Sequence, residues 1–260
     1  MHRFDQHESI RAFDERRDVV IPGDAQQTIE FCVKQFIQLA RSAIRDRGVF
    51  TVALSGGSTP NALFKRLASE DCRNALDWKK IRLFWSDERS VPPDDPQSNY
   101  YTAMESGLSS LSIPKENIFR MKAEVDIETN AAAYEKEILT HVPEKRFDLV
   151  MLGMGEDGHT ASLFPWTNAL HSTDRLVAAN YIPQKNTWRM TLTYECIHSA
   201  ALITIYVIGK NKAEMVKKVF SDSGDDDSIP IRKVGIPSNK ALWILDNEAS
   251  EALVHPLPIL

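Results

Sequence analysis

Cysteine is scarce in this chain: its 260 residues hold three, Cys32, Cys72 and Cys196, spread far apart and forming no C-x-x-C unit. An odd, scattered set excludes a disulfide framework and the common thiolate zinc and redox sites, and it fits small buried side chains in a reducing compartment. Long apolar runs are missing as well. No stretch approaches the roughly 20 residues that cross a bilayer, and the first 18 residues are too polar for a secretory signal. A cytoplasmic protein with no membrane partner is expected. The third shortage is of positive charge, with 31 Lys and Arg against 36 Asp and Glu and a net charge of −5. This balance argues against nucleic acid as a partner, which needs a basic docking face. A phosphorylated ligand would need its cations gathered at one place.

What is present suits a packed enzyme. Hydrophobic residues make up 43% of the chain and charged residues 26%, the proportions of an ordinary globular protein. At this length one domain over residues 1–260 is expected. Ile29, Val33, Phe36, Ile37 and Ala40 recur at helical spacing until Gly48, which predicts an amphipathic helix over 27–45. Apolar runs at 49–54, 81–85, 147–152, 176–181, 189–193, 201–208 and 241–245 predict strands, with helices over 61–68, 98–104, 130–139 and 213–220 among them. The alternation predicts an α/β fold: a mostly parallel central sheet with helices on both faces, Rossmann-like, with a few additional strands. The acidic, polar stretch 221–228 is expected to form a mobile surface loop.

In an open parallel sheet ligands sit beyond the carboxyl ends of the strands, so the segments that follow strands matter most. Ser55-Gly56-Gly57-Ser58-Thr59-Pro60 follows the 49–54 strand. Its glycines let backbone N–H groups converge, its hydroxyls add donors, and Pro60 suits the first turn of a helix whose positive end faces the same point. A phosphate fits such a turn; a plain strand-to-helix turn reads the same, and the lysine of a P-loop is absent. Trp85-Ser86-Asp87-Glu88-Arg89 carries a strand straight into three ionisable residues. Asp87 there suits orienting a base or a sugar hydroxyl and Arg89 suits gripping a phosphate, with a solvated charge cluster as the alternative.

The strongest signal is the segment from Gly153 through Gly155, Glu156, Asp157, Gly158, His159, Thr160, Ala161 and Ser162 to Pro165, directly after a predicted strand. Its glycines admit a ligand closely. Asp157 stands two residues before His159, where a carboxylate can hold the imidazole's tautomer and raise its basicity. In Gly209-Lys210-Asn211-Lys212 lysines open a predicted helix, which its dipole disfavours unless they answer an anion; Arg189, a cation within a strand-like run, needs either a ligand or a salt bridge. No pair of His or Cys residues has metal-ligand spacing around these segments, so no metal is expected; no organic cofactor is expected either.

Together with Ser98-Asn99-Tyr100 and Arg189-Met190-Thr191-Leu192-Thr193, these motifs span most of the chain. In type and order they closely resemble the 6-phosphogluconolactonase family of the pentose phosphate pathway, which is related to the glucosamine-6-phosphate isomerases and deaminases. The resemblance implies a hydrolase that opens a phosphorylated sugar lactone, with a monomer expected. It implies His159 as the general base acting on water and Asp157 as the group orienting the imidazole. Arg89, Arg189 and Lys210, with Ser55, Gly56, Gly57, Ser58 and Thr59, would hold the phosphate and substrate oxygens, and Asp87 would line the same site. One rival is a deaminase or isomerase; there the histidine turn usually continues Phe-Asn-Glu, whereas this chain has Ser162-Leu163-Phe164. Asp87 nevertheless sits where those enzymes keep a carbon-acid base. A second rival is a non-catalytic sugar-phosphate sensor. Such regulators usually carry a DNA-binding unit, for which the residues before the first helix are too few, and a dead module would be expected to lose His159 or Asp157.

Overall fold

The computed structural model describes residues 10–221 and 227–253. A short antiparallel pair, β1 (Arg11–Ala12) and β2 (Arg17–Val20), precedes the long helix α1 (Ala25–Arg47). A capping box starts this helix: the Asp24 carboxylate accepts the Gln27 N–H, and the Gln27 side chain accepts the Asp24 N–H. Gly48 ends it in the left-handed conformation. Then come β3 (Phe50–Leu54), α2 (Ser58–Leu67), β4 (Ile81–Trp85), β5 (Asp87–Arg89), α3 (Asn99–Glu105), α4 (Ile127–His141) and β6 (Leu149–Gly153). The remainder is β7 (Val177–Ile182), β8 (Thr187–Leu192), α5 (Tyr194–Ser199), β9 (Ile203–Val207), α6 (Ala213–Phe220) and β10 (Ala241–Leu245).

Seven strands form the main sheet in the order β1-β2-β10-β9-β6-β3-β4, parallel throughout except for β1. Every residue of β3, β9 and β10 is buried, as strands covered on both faces must be. The additional strands make a second, antiparallel sheet, β5-β8-β7. Ser86 joins the two sheets, donating its N–H to Leu54 O at 2.7 Å and accepting Leu192 N–H at 2.8 Å.

Strand order places the functional end. β3 has β4 on one side and β6 on the other, so the winding reverses between β3 and β6. Such a reversal leaves a crevice beyond the carboxyl ends of the two strands, because the connections leave in opposite directions. The Ser55 and Gly153 turns both lie there, and Ser86 hangs the second sheet beside them.

The expected α/β architecture is the observed one. Four elements were not predicted, β1, β2, β5 and α5, and each is too short for a periodic pattern to stand out. Most of the acidic stretch falls at 222–226, outside the described residues. Its end at Asp227 is tied down, accepting from Lys233 Nζ at 2.6 Å and lying 2.8 Å from His171 Nε2. Cys32, Cys72 and Cys196 are buried thiols that form no disulfide. Among the described residues no helix is long and apolar enough to cross a membrane.

Candidate active site

A cavity of about 280 Å³ opens at the switch point. Ser55, Gly56 and Gly57 line it from the β3 side, and Gly153, Gly155 and His159 from the β6 side. The two glycine turns predicted from the sequence therefore meet in space.

On the β3 side the chain enters α2 almost at once. Gly57 makes the turn with φ of 106°, and no side chain caps the helix. The N–H groups of its first turn, to which Ser58 and Thr59 belong, have no partner within the helix, and the dipole adds positive potential. Gly56 lies flat against Asn99, where a Cβ would come within 1.9 Å of Oδ1. The Asn99 amide in turn donates to Asp87 Oδ1 at 3.0 Å and to Asp87 O at 2.9 Å.

On the β6 side no helix follows. The segment closes on itself: Gly155 N–H donates to His159 O at 2.9 Å, Gly158 N–H to Gly155 O at 3.1 Å, and the Thr160 hydroxyl to Gly153 O at 2.8 Å. Asp157 Oδ1 accepts the His159 N–H at 3.1 Å and lies 2.5 Å from Nδ1. A carboxylate at Nδ1 selects the tautomer protonated there and leaves Nε2 as the free acceptor. Burial opposes charge on Asp157, but the hydrogen bond and charge of His159 outweigh it and hold the carboxyl below its ordinary 3.8.

Buried polar contacts fasten this loop to the second sheet. Ser162 Oγ donates to Asp87 Oδ2 at 2.6 Å, Ser162 N–H to Thr191 Oγ1 at 3.1 Å, and Asn180 Nδ2 to Ser162 O at 2.9 Å. All four residues are buried, and a satisfied network of this kind holds one geometry. Both carboxylate oxygens of Asp87 are thus engaged.

Cations gather on the opposite wall. Arg89 and Arg189 are cross-strand neighbours in the β5–β8 pair and both line the cavity. Burial pulls the pKa of the Arg189 guanidinium below its usual value, with Asp87 opposing the shift and Arg89 reinforcing it. Its Nε is buried without a hydrogen-bond partner. A guanidinium held this way is stabilised when an anion enters.

Lys210 departs from the sequence reading. Residues Lys210–Lys212 form a single 3₁₀ turn ahead of α6, which begins at Ala213 as predicted. Lys210 Nζ points to Glu251 at 3.6 Å with a side chain 75% exposed, and Lys212 lines the cavity instead. Lys185, from the turn between β7 and β8, also lines it, and nothing in the sequence marks that residue. The sequence reading also passed over Glu88. Its buried carboxylate accepts the N–H groups of Arg89 (2.7 Å), Asn99 (2.8 Å) and Tyr100 (2.9 Å) and the Ser98 hydroxyl (2.9 Å), which pins β5 to the start of α3. Burial outweighs these donors and raises its pKa above the ordinary 4.5. Among the described residues no group of three or more His, Cys, Asp and Glu side chains is gathered to hold a metal ion.

Comparison with known proteins gives the chain's family. Residues 23–243 match the family described as glucosamine-6-phosphate isomerases/6-phosphogluconolactonase. The 6-phosphogluconolactonase of Chlamydia pneumoniae is 40% identical over 238 residues, which cover 91% of each chain. The crystal structure of 6-phosphogluconolactonase from Thermotoga maritima has a TM-score of 0.76 at 26% identity, covering 89% of this chain and 100% of the other. A monomeric glucosamine-6-phosphate deaminase, at 19% identity and a TM-score of 0.74 over 90% of this chain and 99% of the other, shares the fold. Matched along most of its length, the chain belongs to the glucosamine-6-phosphate isomerase/6-phosphogluconolactonase family.

Proposed function

We propose that this chain is a cytoplasmic, monomeric hydrolase that converts 6-phospho-D-glucono-1,5-lactone to 6-phospho-D-gluconate in the oxidative pentose phosphate pathway. One observation carries the reading: an imidazole with a free Nε2 shares a cavity with a wall of cations and a helix amino terminus. The substrate's phosphate is held by Arg89, Arg189 and Lys212, with Ser55, Gly56, Gly57 and the first turn of α2 at Ser58 and Thr59 supplying further donors. His159 Nε2 takes a proton from water as the water oxygen bonds to the lactone carbonyl carbon, and the carbonyl electrons move onto its oxygen. The carbonyl then re-forms, the bond to the ring oxygen breaks, and the imidazolium returns its proton to that oxygen. Asp157 stabilises the imidazolium while it lasts.

The His159 turn argues against the deaminase reading: it continues Ser162-Leu163-Phe164, without the carboxylate that the deaminase type of turn carries there. The test is to give the purified protein 6-phosphogluconolactone and glucosamine 6-phosphate in parallel. The expected outcome is lactone hydrolysis without ammonia release. Ammonia release without hydrolysis would replace the proposal with a deaminase, and binding without either reaction would replace it with a sensor.

A further inference from the structure

Phe164 is buried, 2% exposed, yet it is not one of the side chains that form the contiguous hydrophobic core. Its ring lies on the His159 imidazole instead, with centroids 4.0 Å apart and planes within 13° of parallel. The chain doubles back to bring it there. Leu163 N–H donates to Thr160 O at 2.9 Å, Thr160 and Leu163 form an isolated antiparallel bridge, and Ala161 takes a left-handed φ of 47° to close the turn. An alanine in that region costs backbone strain, which persists only where the surroundings fix the conformation.

The imidazole is held by two further contacts. Asp157 meets it at Nδ1. Gly155 abuts its Nδ1–Cε1 side so closely that a Cβ there would lie 2.0 Å from Nδ1 and 2.2 Å from Cε1. A hydrogen bond at one nitrogen selects a tautomer but leaves the ring a range of tilts about that bond. A stacked aromatic face removes the remaining rotation, because offset or parallel ring contact is lost as the planes diverge.

We infer that Phe164 is a positioning residue: its ring fixes the plane of the His159 imidazole, so that Nε2 points into the cavity at the attacking water. The inference rests on the reading of His159 as the base. The effect is on alignment of the reacting atoms and not on substrate affinity, since misplacing a catalytic group by about 1 Å costs on the order of a hundredfold in rate.

The experiment compares the wild type with Phe164→Tyr, Phe164→Leu, Phe164→Ala and His159→Ala, measuring kcat and KM for 6-phosphogluconolactone separately. Nitrogen-15 NMR of the imidazole accompanies the kinetics. Phe164→Tyr, which keeps the aromatic face, should retain kcat within about threefold, whereas Phe164→Leu should lose about tenfold and Phe164→Ala more, all with KM nearly unchanged. The wild type and every Phe164 variant should keep the tautomer protonated at Nδ1, because Asp157 selects it. Wild-type kcat in Phe164→Leu with His159→Ala inactive, or a kcat loss that comes with a mixed tautomer, would overturn the plane-fixing role alone. Full activity in His159→Ala would instead remove the base reading beneath it. Should Phe164→Ala fail to fold, the leucine and tyrosine variants still decide the matter.

Discussion

The turn after β3 and the turn after β6 both leave a buried parallel strand at the same end of the sheet, yet one becomes a helix after three residues and the other becomes no helix at all. The first presents backbone N–H groups and a dipole, a surface suited to any anion of the right size. The second presents one side chain, His159, met at Nδ1 by Asp157, in a loop that the Thr160 hydroxyl braces on Gly153 O and the Ser162 hydroxyl on Asp87. Their glycines differ accordingly. Gly57 is required for its backbone, at φ of 106° with nothing within 4 Å of a Cβ; Gly155 is required for the space a Cβ would take from His159 and Asp157. Binding an anion tolerates a loosely built cradle, whereas aiming a base does not.

The largest effect that separates the two turns is expected from Gly155→Ala. The added Cβ displaces the imidazole, and kcat should fall by about a hundredfold or more. Gly57→Ala should instead lower stability by roughly 1–3 kcal/mol through backbone strain, while kcat per folded molecule stays within a few-fold. Steady-state kinetics and chemical denaturation of both variants measure this. Equal losses of kcat would mean that the turns are not specialised as described.

A second contrast lies within the cationic wall. Arg189→Ala should raise KM by about tenfold, the size of one charged hydrogen bond. Lys210→Ala should leave KM within about twofold, because an exposed pair such as Lys210–Glu251 contributes little. The opposite ranking would return Lys210 to the site.

The smallest effect concerns the frame beneath that wall. Because burial raises the Glu88 pKa in the folded protein, its contribution is fully present below the ordinary 4.5 and is lost as pH rises through the raised value. Glu88→Gln does not titrate, so the stability of the wild type minus that of the variant should fall as pH increases from 4.5. Urea denaturation across this range reads the slope, and a rising difference would contradict the assignment.

These contrasts also show what was legible in the sequence. Strands such as 81–85 and 241–245 were placed without error because an apolar run bounded by polar residues leaves the chain little choice. His159, Asp157 and the Ser55 to Gly57 turn were legible because glycine and histidine after a strand are informative together. Lys210 and Lys212 are alike in the sequence, and only the 3₁₀ turn ahead of α6 decides that Lys212 lines the cavity while Lys210 pairs with Glu251. Lys185 left no trace, since its role depends on where the β7–β8 turn falls in space. Glu88 has no role that the sequence alone assigns. Only the fold shows its carboxylate meeting the start of α3.

The central claim, that His159 Nε2 activates water over a separate anion-holding wall, is tested most directly by single-turnover hydrolysis of 6-phosphogluconolactone by His159→Ala. The chemical step should slow by about a hundred- to ten-thousandfold while the concentration for half-saturation stays nearly constant. An unchanged chemical step, or a loss confined to substrate affinity, would contradict it.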